Sequence, residues 1–181
     1  GLSIKKYPVC YATHRVIDAV LDLADQHSIQ HQDVVAIRAT IGKAQASILR
    51  NHDPVTGLEA KFSLEFTIAS ALVARKVGLA ELTDSFVARP EIRQLMPRVK
   101  ITTVDGEKCP FEPIFILNDQ VEIELADGRV LQSGDIRFAR GNALLPLKPE
   151  QLKAKFLDCT QGATSIDAGA LFDQLSHMTR L

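Results

Sequence analysis

An α+β fold, a small mostly antiparallel sheet with helices on one face, is the architecture this sequence predicts. Three observations predict it. Residues 14–24 and 58–77 carry apolar residues at helical spacing, and residues 99–103 and 121–131 alternate with period two. The order of elements, helix, strand, helices and then three strands, groups the helices and strands apart rather than alternating them.

The opening segment Lys5-Lys6-Tyr7-Pro8-Val9-Cys10 leads into a first helix. Pro8 biases Tyr7 toward an extended conformation. Ile17, Val20, Leu21 and Ala24 then mark an amphipathic helix with Thr13 at its N-cap. Residues 33–41, rich in β-branched side chains, read as a strand closed by Gly42. Thr56 and Glu59 have the spacing of a capping box, which opens a helix expected over 58–77 and ended by Gly78. Phe62, Leu64, Phe66, Ile68 and Leu72 cover most of its circumference, so it is expected to be buried on several sides. Short helices are expected over 79–87 and 90–96, the second with Pro90 in its first turn.

Val99, Ile101 and Thr103 form the next strand, and Asp105-Gly106 turns the chain. Residues 107–119, with Pro110 and Pro113, read as loop or edge segment. Asp127-Gly128 joins two alternating runs in a tight hairpin whose Glu122 and Glu124 face water. Two closing helices are expected over 149–158 and 166–178. Leu171, Phe172, Leu175 and Met178 form an apolar stripe on the last one, and such a stripe expects a partner.

The 181 residues suffice for a sizeable core. With 21 basic and 22 acidic residues the net charge is −1, which lacks the field that nucleic-acid or anionic-membrane binding needs. No apolar run approaches the length of a membrane span, and no signal-peptide core opens the chain. Cys10, Cys109 and Cys159 are odd in number and far apart, which argues for reduced thiols in a cytoplasmic setting and against a zinc or iron–sulfur site. No metal and no cofactor are expected. The chain opens on Gly1-Leu2-Ser3-Ile4 without an initiator Met, and the expectation is a domain of a longer protein.

The candidate chemistry gathers at the start. Lys5 and Lys6 beside a helix N-terminus offer a seat for a carboxylate, where unpaired N–H groups and the helix dipole also favour an anion. Cys10 is a candidate nucleophile or proton carrier at that helix end, or else a small buried hydrophobe. His14 stands one turn before Asp18, whose carboxylate could orient the imidazole. Lys61 is a further cation, at a pocket edge or simply reaching water.

Two segments stand out together: Lys5 to Cys10 running into Thr13-His14-Arg15-Val16-Ile17-Asp18-Ala19, and Gly57-Leu58-Glu59-Ala60-Lys61-Phe62-Ser63-Leu64-Glu65-Phe66. They resemble the C-terminal half of the MmgE/PrpD family, the iron–sulfur-independent 2-methylcitrate dehydratase group that includes cis-aconitate decarboxylase. The resemblance implies a chorismate-mutase-like lid over residues 1–145, inserted in a large helical domain. It also implies that residues 146–181 are helices packing on that missing N-terminal domain, with the active site in the cleft between. By the decarboxylase pattern Lys5 falls on an active-site lysine, Cys10 on an active-site histidine position and Phe66 on an active-site tyrosine position. The dehydratase branch shows Tyr-Pro-Ala-Glu-Phe-His where this chain has Tyr7-Pro8-Val9-Cys10-Tyr11-Ala12, and His14 stands where that branch has Gln.

The implied parent is a cofactor-independent lyase, dehydratase-like, or isomerase, forming a homodimer and acting on a small di- or tricarboxylate. In it Lys5, Cys10 and His14 are the catalytic candidates, and Tyr7, Lys61 and Phe66 the substrate contacts. A non-catalytic carboxylate-binding module and a subunit of a split enzyme are the alternatives. An interaction domain using the last helix is a third reading.

Overall fold

The computed structural model describes residues 1–178. Four strands form the main sheet: β1 (Val34–Gly42), β2 (Val99–Val104), β5 (Gln120–Leu125) and β6 (Val130–Gln132), in the order β2-β1-β5-β6. The β1–β5 and β5–β6 pairs are antiparallel, while β1 and β2 run parallel, Ile37 opposite Val99. A parallel pair needs a crossover, and the segment between β1 and β2 supplies one containing five short helices: α2 (Lys43–Ala46), α3 (Gly57–Ala60), α4 (Leu64–Ala74), α5 (Asp84–Val87) and α6 (Pro90–Leu95). Helix α1 (His14–Gln26) precedes β1 and packs on α4 and β5.

The sheet buries one face on this helical layer. Val34, Ile37, Ala39 and Ile41 of β1 and Val121, Ile123 and Leu125 of β5 are all buried, as the pleat requires of alternate residues. On the other face Arg38 lies opposite Glu122 and pairs with it, while Glu124 is exposed. Gly128, at φ +86°, completes the expected Asp127-Gly128 hairpin.

Several expectations change. Residues 57–77 form two helices rather than one, because Ser63 accepts the Phe66 N–H at 3.1 Å and starts α4 anew. The Thr56–Glu59 capping box forms as expected, but it opens only the four-residue α3. Phe62, in the break, is 42% exposed instead of buried. At the far end Arg75, left-handed at φ +54°, ends α4, while Gly78 donates its N–H to Glu81.

Thr13 does not cap α1 with its side chain. A 3-10 turn, Tyr11–Thr13, precedes the helix, and the Thr13 hydroxyl donates back to the Cys10 carbonyl at 2.8 Å. The helix expected over 79–87 shrinks to α5, because Thr83 accepts the Phe86 N–H and sets a late start. Residues 107–119 form a small ribbon, β3 (Lys108–Cys109) with β4 (Glu112–Ile116), that buries Cys109 and Phe115.

Helices α7 (Pro149–Cys159) and α8 (Ala168–Ser176) pack on each other, with the Phe156 and Phe172 rings 5.4 Å apart. Neither contains a buried residue, and Leu175 and Met178 of the apolar stripe stand exposed. Among the described residues no helix is long and apolar enough to cross a membrane.

One glycine fixes where the chain begins. Ile4 donates its N–H to the Gly141 carbonyl at 2.7 Å, and Gly141 sits at φ +91°. A Cβ there would lie 2.0 Å from the Ile4 carbonyl oxygen. Gly141→Ala is therefore expected to destabilise by about 1–3 kcal/mol and to speed hydrogen exchange at the Ile4 amide. Unchanged exchange at that amide would show that this contact does not hold the segment before Lys5.

Candidate functional site

The segment from Lys5 to His14 bends because each residue is tied in a different direction. Tyr7 is buried and donates its hydroxyl to Asp18 at 2.7 Å. Asp18 also accepts the Arg140 backbone N–H at 2.7 Å, the Arg140 guanidinium at 3.2 Å and the Lys6 ammonium at 3.4 Å. One carboxylate on α1 thus ties down two other segments of the chain, Lys6-Tyr7 and the loop at Arg140. Burial, then the Asp18 charge and hydrogen bond, push the Tyr7 hydroxyl far above its ordinary range. Burial also lowers Lys6, against the opposing pull of Asp18.

Cys10 is half-buried, and its N–H donates to the Lys61 carbonyl at 2.9 Å. That bond arises because the break between α3 and α4 leaves the last α3 carbonyls outside any helix. The Lys5–Cys10 segment and the 57–66 segment are therefore joined backbone to backbone. Lys5 is exposed, and neither Lys5 nor Lys61 has a carboxylate partner among the described residues. Both lysines thus belong to segments that meet at Cys10, without an ion pair of their own among the described residues.

His14 is fully buried between two phenol rings, Tyr7 at 5.1 Å and Tyr11 at 5.0 Å between centroids. Neither ring nitrogen has a hydrogen-bond partner among the described residues. Burial first, and the positive charge of Lys5 second, push its basicity down to about 4; the nearby Val9 carbonyl and Asp18 oppose this. The expected orientation of His14 by Asp18 does not form, because Asp18 is already engaged by Tyr7, Lys6 and Arg140.

Comparison with known protein families matches residues 7–176 to the MmgE/PrpD C-terminal domain. The chain belongs to the MmgE/PrpD family. Comparison with curated proteins gives no match.

Of the six residues the sequence singles out in this MmgE/PrpD domain, five come together and one does not. The Cys10 N–H to Lys61 carbonyl bond joins the two segments that carry Lys5, Cys10 and Lys61, Tyr7 and His14 touch ring to ring, and the charge of Lys5 acts on His14. Phe66 faces the other way, wholly buried in α4 and edge-on to Phe86 at 6.3 Å. Tyr7 likewise presents no free hydroxyl, and its place is to support the segment. Glu65, the neighbour of Phe66, accepts from His52 at 2.7 Å and from Ser63 at 3.3 Å.

A buried polar cluster behind the site was not anticipated. Arg15 is 1% exposed and pairs with Glu112 at 2.9 Å, donates to the Ile116 carbonyl at 2.9 Å and lies 3.7 Å from Asp119. Glu112 also accepts from the Tyr11 hydroxyl at 2.7 Å and from Asn142 at 2.8 Å. Gln45 bridges the Ala12 carbonyl and Asp119 at 2.7 and 2.8 Å. Burial raises Asp119 to about 6, with Gln45 and Arg15 opposing. Through Tyr11 and Ala12 this cluster anchors the turn that carries Cys10. No local pattern announces it, since its members lie on α1, α2, β4 and the loops at 119 and 142.

Proposed function

We propose that this MmgE/PrpD domain is the lid-bearing C-terminal part of a cofactor-independent lyase, dehydratase-like, or isomerase that acts on a small di- or tricarboxylate. In this reading residues 1–145 are the lid, residues 146–181 pack on an N-terminal helical domain, and substrate lies between them. The observation that supports it is the Cys10 N–H to Lys61 C=O bond, which joins the segment carrying Lys5 and Cys10 to the turn carrying Lys61.

Lys5 binds a substrate carboxylate, and Lys61 supports a second one across the turn. A carboxylate paired with an ammonium lets the adjacent carbon lose a proton more easily, because the developing negative charge is stabilised. Cys10 takes that proton. For dehydration the neighbouring C–O bond then breaks, and the leaving hydroxide receives a proton from the Lys5 ammonium and departs as water. Cys10 suits this role better than His14, since it is the more accessible of the two and a buried imidazole held near a basicity of about 4 cannot reach a ligand.

The test is to assay the parent protein against a panel of di- and tricarboxylates, with Lys5→Ala, Cys10→Ala and the isolated 181-residue chain beside it. Turnover of one acid by the parent is expected, with losses of about 100-fold or more in each variant and none by the isolated chain. Unchanged activity in both variants would sink the assignment, and turnover by the isolated chain would sink the need for a second domain.

A further inference from the structure

A second cleft, which shares Tyr7 with the Lys5–Cys10 segment, opens between α7 and the body of the domain. Its volume is about 320 Å³, room for about ten water-sized groups. Leu21 of α1, Val77 after α4 and Ala154 of α7 give it apolar walls, and Lys5, Cys10 and Lys61 take no part in it.

Four cations line the cleft: Lys6, Arg75, Lys76 and Lys155. Three already have partners. Lys6 lies 3.4 Å from Asp18, Arg75 lies 3.6 Å from Asp25 and holds the Ile29 carbonyl, and Lys76 pairs with Asp158 at 2.6 Å. Asp158, the single carboxylate of the lining, is further engaged by the Leu79 N–H at 3.2 Å and by Gln161 at 3.2 Å. Lys155 makes no ion pair within 4.0 Å among the described residues, although its charge also falls on Asp158; its one side-chain hydrogen bond is to the Cys159 sulfur at 4.0 Å. Among the described residues the lining therefore holds four cations against three carboxylate partners, Asp18, Asp25 and Asp158.

An apolar-walled cleft with one cation in excess is complementary to a ligand with one negative charge and a short apolar tail. We propose that this cleft binds a monoanionic amphiphile, its head on the Lys155 ammonium and its tail against Leu21, Val77 and Ala154. A polycarboxylate suits it poorly, because a second charged group would be buried against those apolar walls without a partner.

Octanoate serves as the probe, titrated calorimetrically into the 181-residue chain at neutral pH. Saturable one-to-one binding is expected, weakened about tenfold or more in Lys155→Glu and unchanged in Lys153→Gln, whose lysine pairs instead with Asp173 on α8. Octylammonium, equal in tail and opposite in charge, is expected not to bind. Circular dichroism checks that both variants keep the wild-type fold. The proposal falls if octanoate fails to saturate, if Lys155→Glu binds it as well as the wild type does, or if octylammonium competes equally. It falls too if sedimentation shows a dimer that Lys155→Glu dissociates, because the cleft would then belong to a second copy of the chain.

Discussion

Alanine at Arg15 is expected to destabilise the chain by about 3–5 kcal/mol, read as the loss of unfolding free energy in urea. The size follows from what the guanidinium leaves behind. Glu112 at 2.9 Å and Asp119 at 3.7 Å would remain buried with no cation beside them, and the Ile116 carbonyl would lose its donor. The ring of Phe115, 4.7 Å from the guanidinium carbon, would also face a cavity. Removing one partner of a buried pair is costly, whereas replacing the whole set with neutral groups of similar volume is not. The triple variant Arg15→Met, Glu112→Gln, Asp119→Asn is accordingly expected to recover most of the loss. A cost below about 1 kcal/mol for Arg15→Ala, the level of an ordinary substitution, would show that Arg15 is not the counter-charge of this cluster.

The fold was legible in the sequence wherever its signal is local. The Asp127-Gly128 hairpin, the Thr56–Glu59 cap and the apolar face of α1 each depend on residues within one turn or one strand pair, and each appears as expected. The break at Lys61–Ser63 was not, because Ser63 is one polar residue inside an apolar run and looks the same mid-helix as at a cap. The parallel β1–β2 pairing escaped for a different reason. Alternation shows which face a strand buries, not which strand lies beside it.

The site divides in the same way. Lys5, Cys10 and His14 sit within ten residues of one another, so their nearness along the chain is plain in the sequence. That His14 is sealed between Tyr7 and Tyr11 could not, since burial depends on where two tyrosine rings and α1 meet. Phe66 resembles a site position, yet the α4 start turns it into the core against Phe86. Arg15, Gln45, Glu112, Asp119 and Asn142 each read singly as surface residues. Only the fold reveals that they meet, and among the described residues Arg15 Nε, Gln45 Oε1 and Asp119 Oδ1 still have no hydrogen-bond partner.

Two buried groups with opposite displacements are expected to leave the stability of this chain nearly flat between about pH 4 and pH 6.5. His14 has its basicity lowered from 6.5 to about 4, chiefly by burial, so across that window the unfolded chain binds more protons at this position than the folded one. Its contribution is complete above pH 6.5 and is lost as pH falls through about 4. Asp119 is raised from 3.8 to about 6, also chiefly by burial, so the folded chain binds more protons there. Its contribution is complete below 3.8 and is lost as pH rises through about 6. At about 1.4 kcal/mol per pH unit each amounts to about 3 kcal/mol, and both side chains are fully buried, so solvent screening takes little from either. Single substitutions separate the pair. Relative to wild type, Asp119→Asn leaves His14 unopposed, and stability falls by about 3 kcal/mol as pH drops from 6.5 to 4. His14→Gln leaves Asp119 unopposed, and stability rises by about the same amount over that range. Groups common to all three proteins, such as the lowered Asp158, cancel in these differences. Urea unfolding at four or five pH values decides the matter: two difference curves of the same sign, or two flat ones, would mean that these groups do not carry opposed protonation changes on folding.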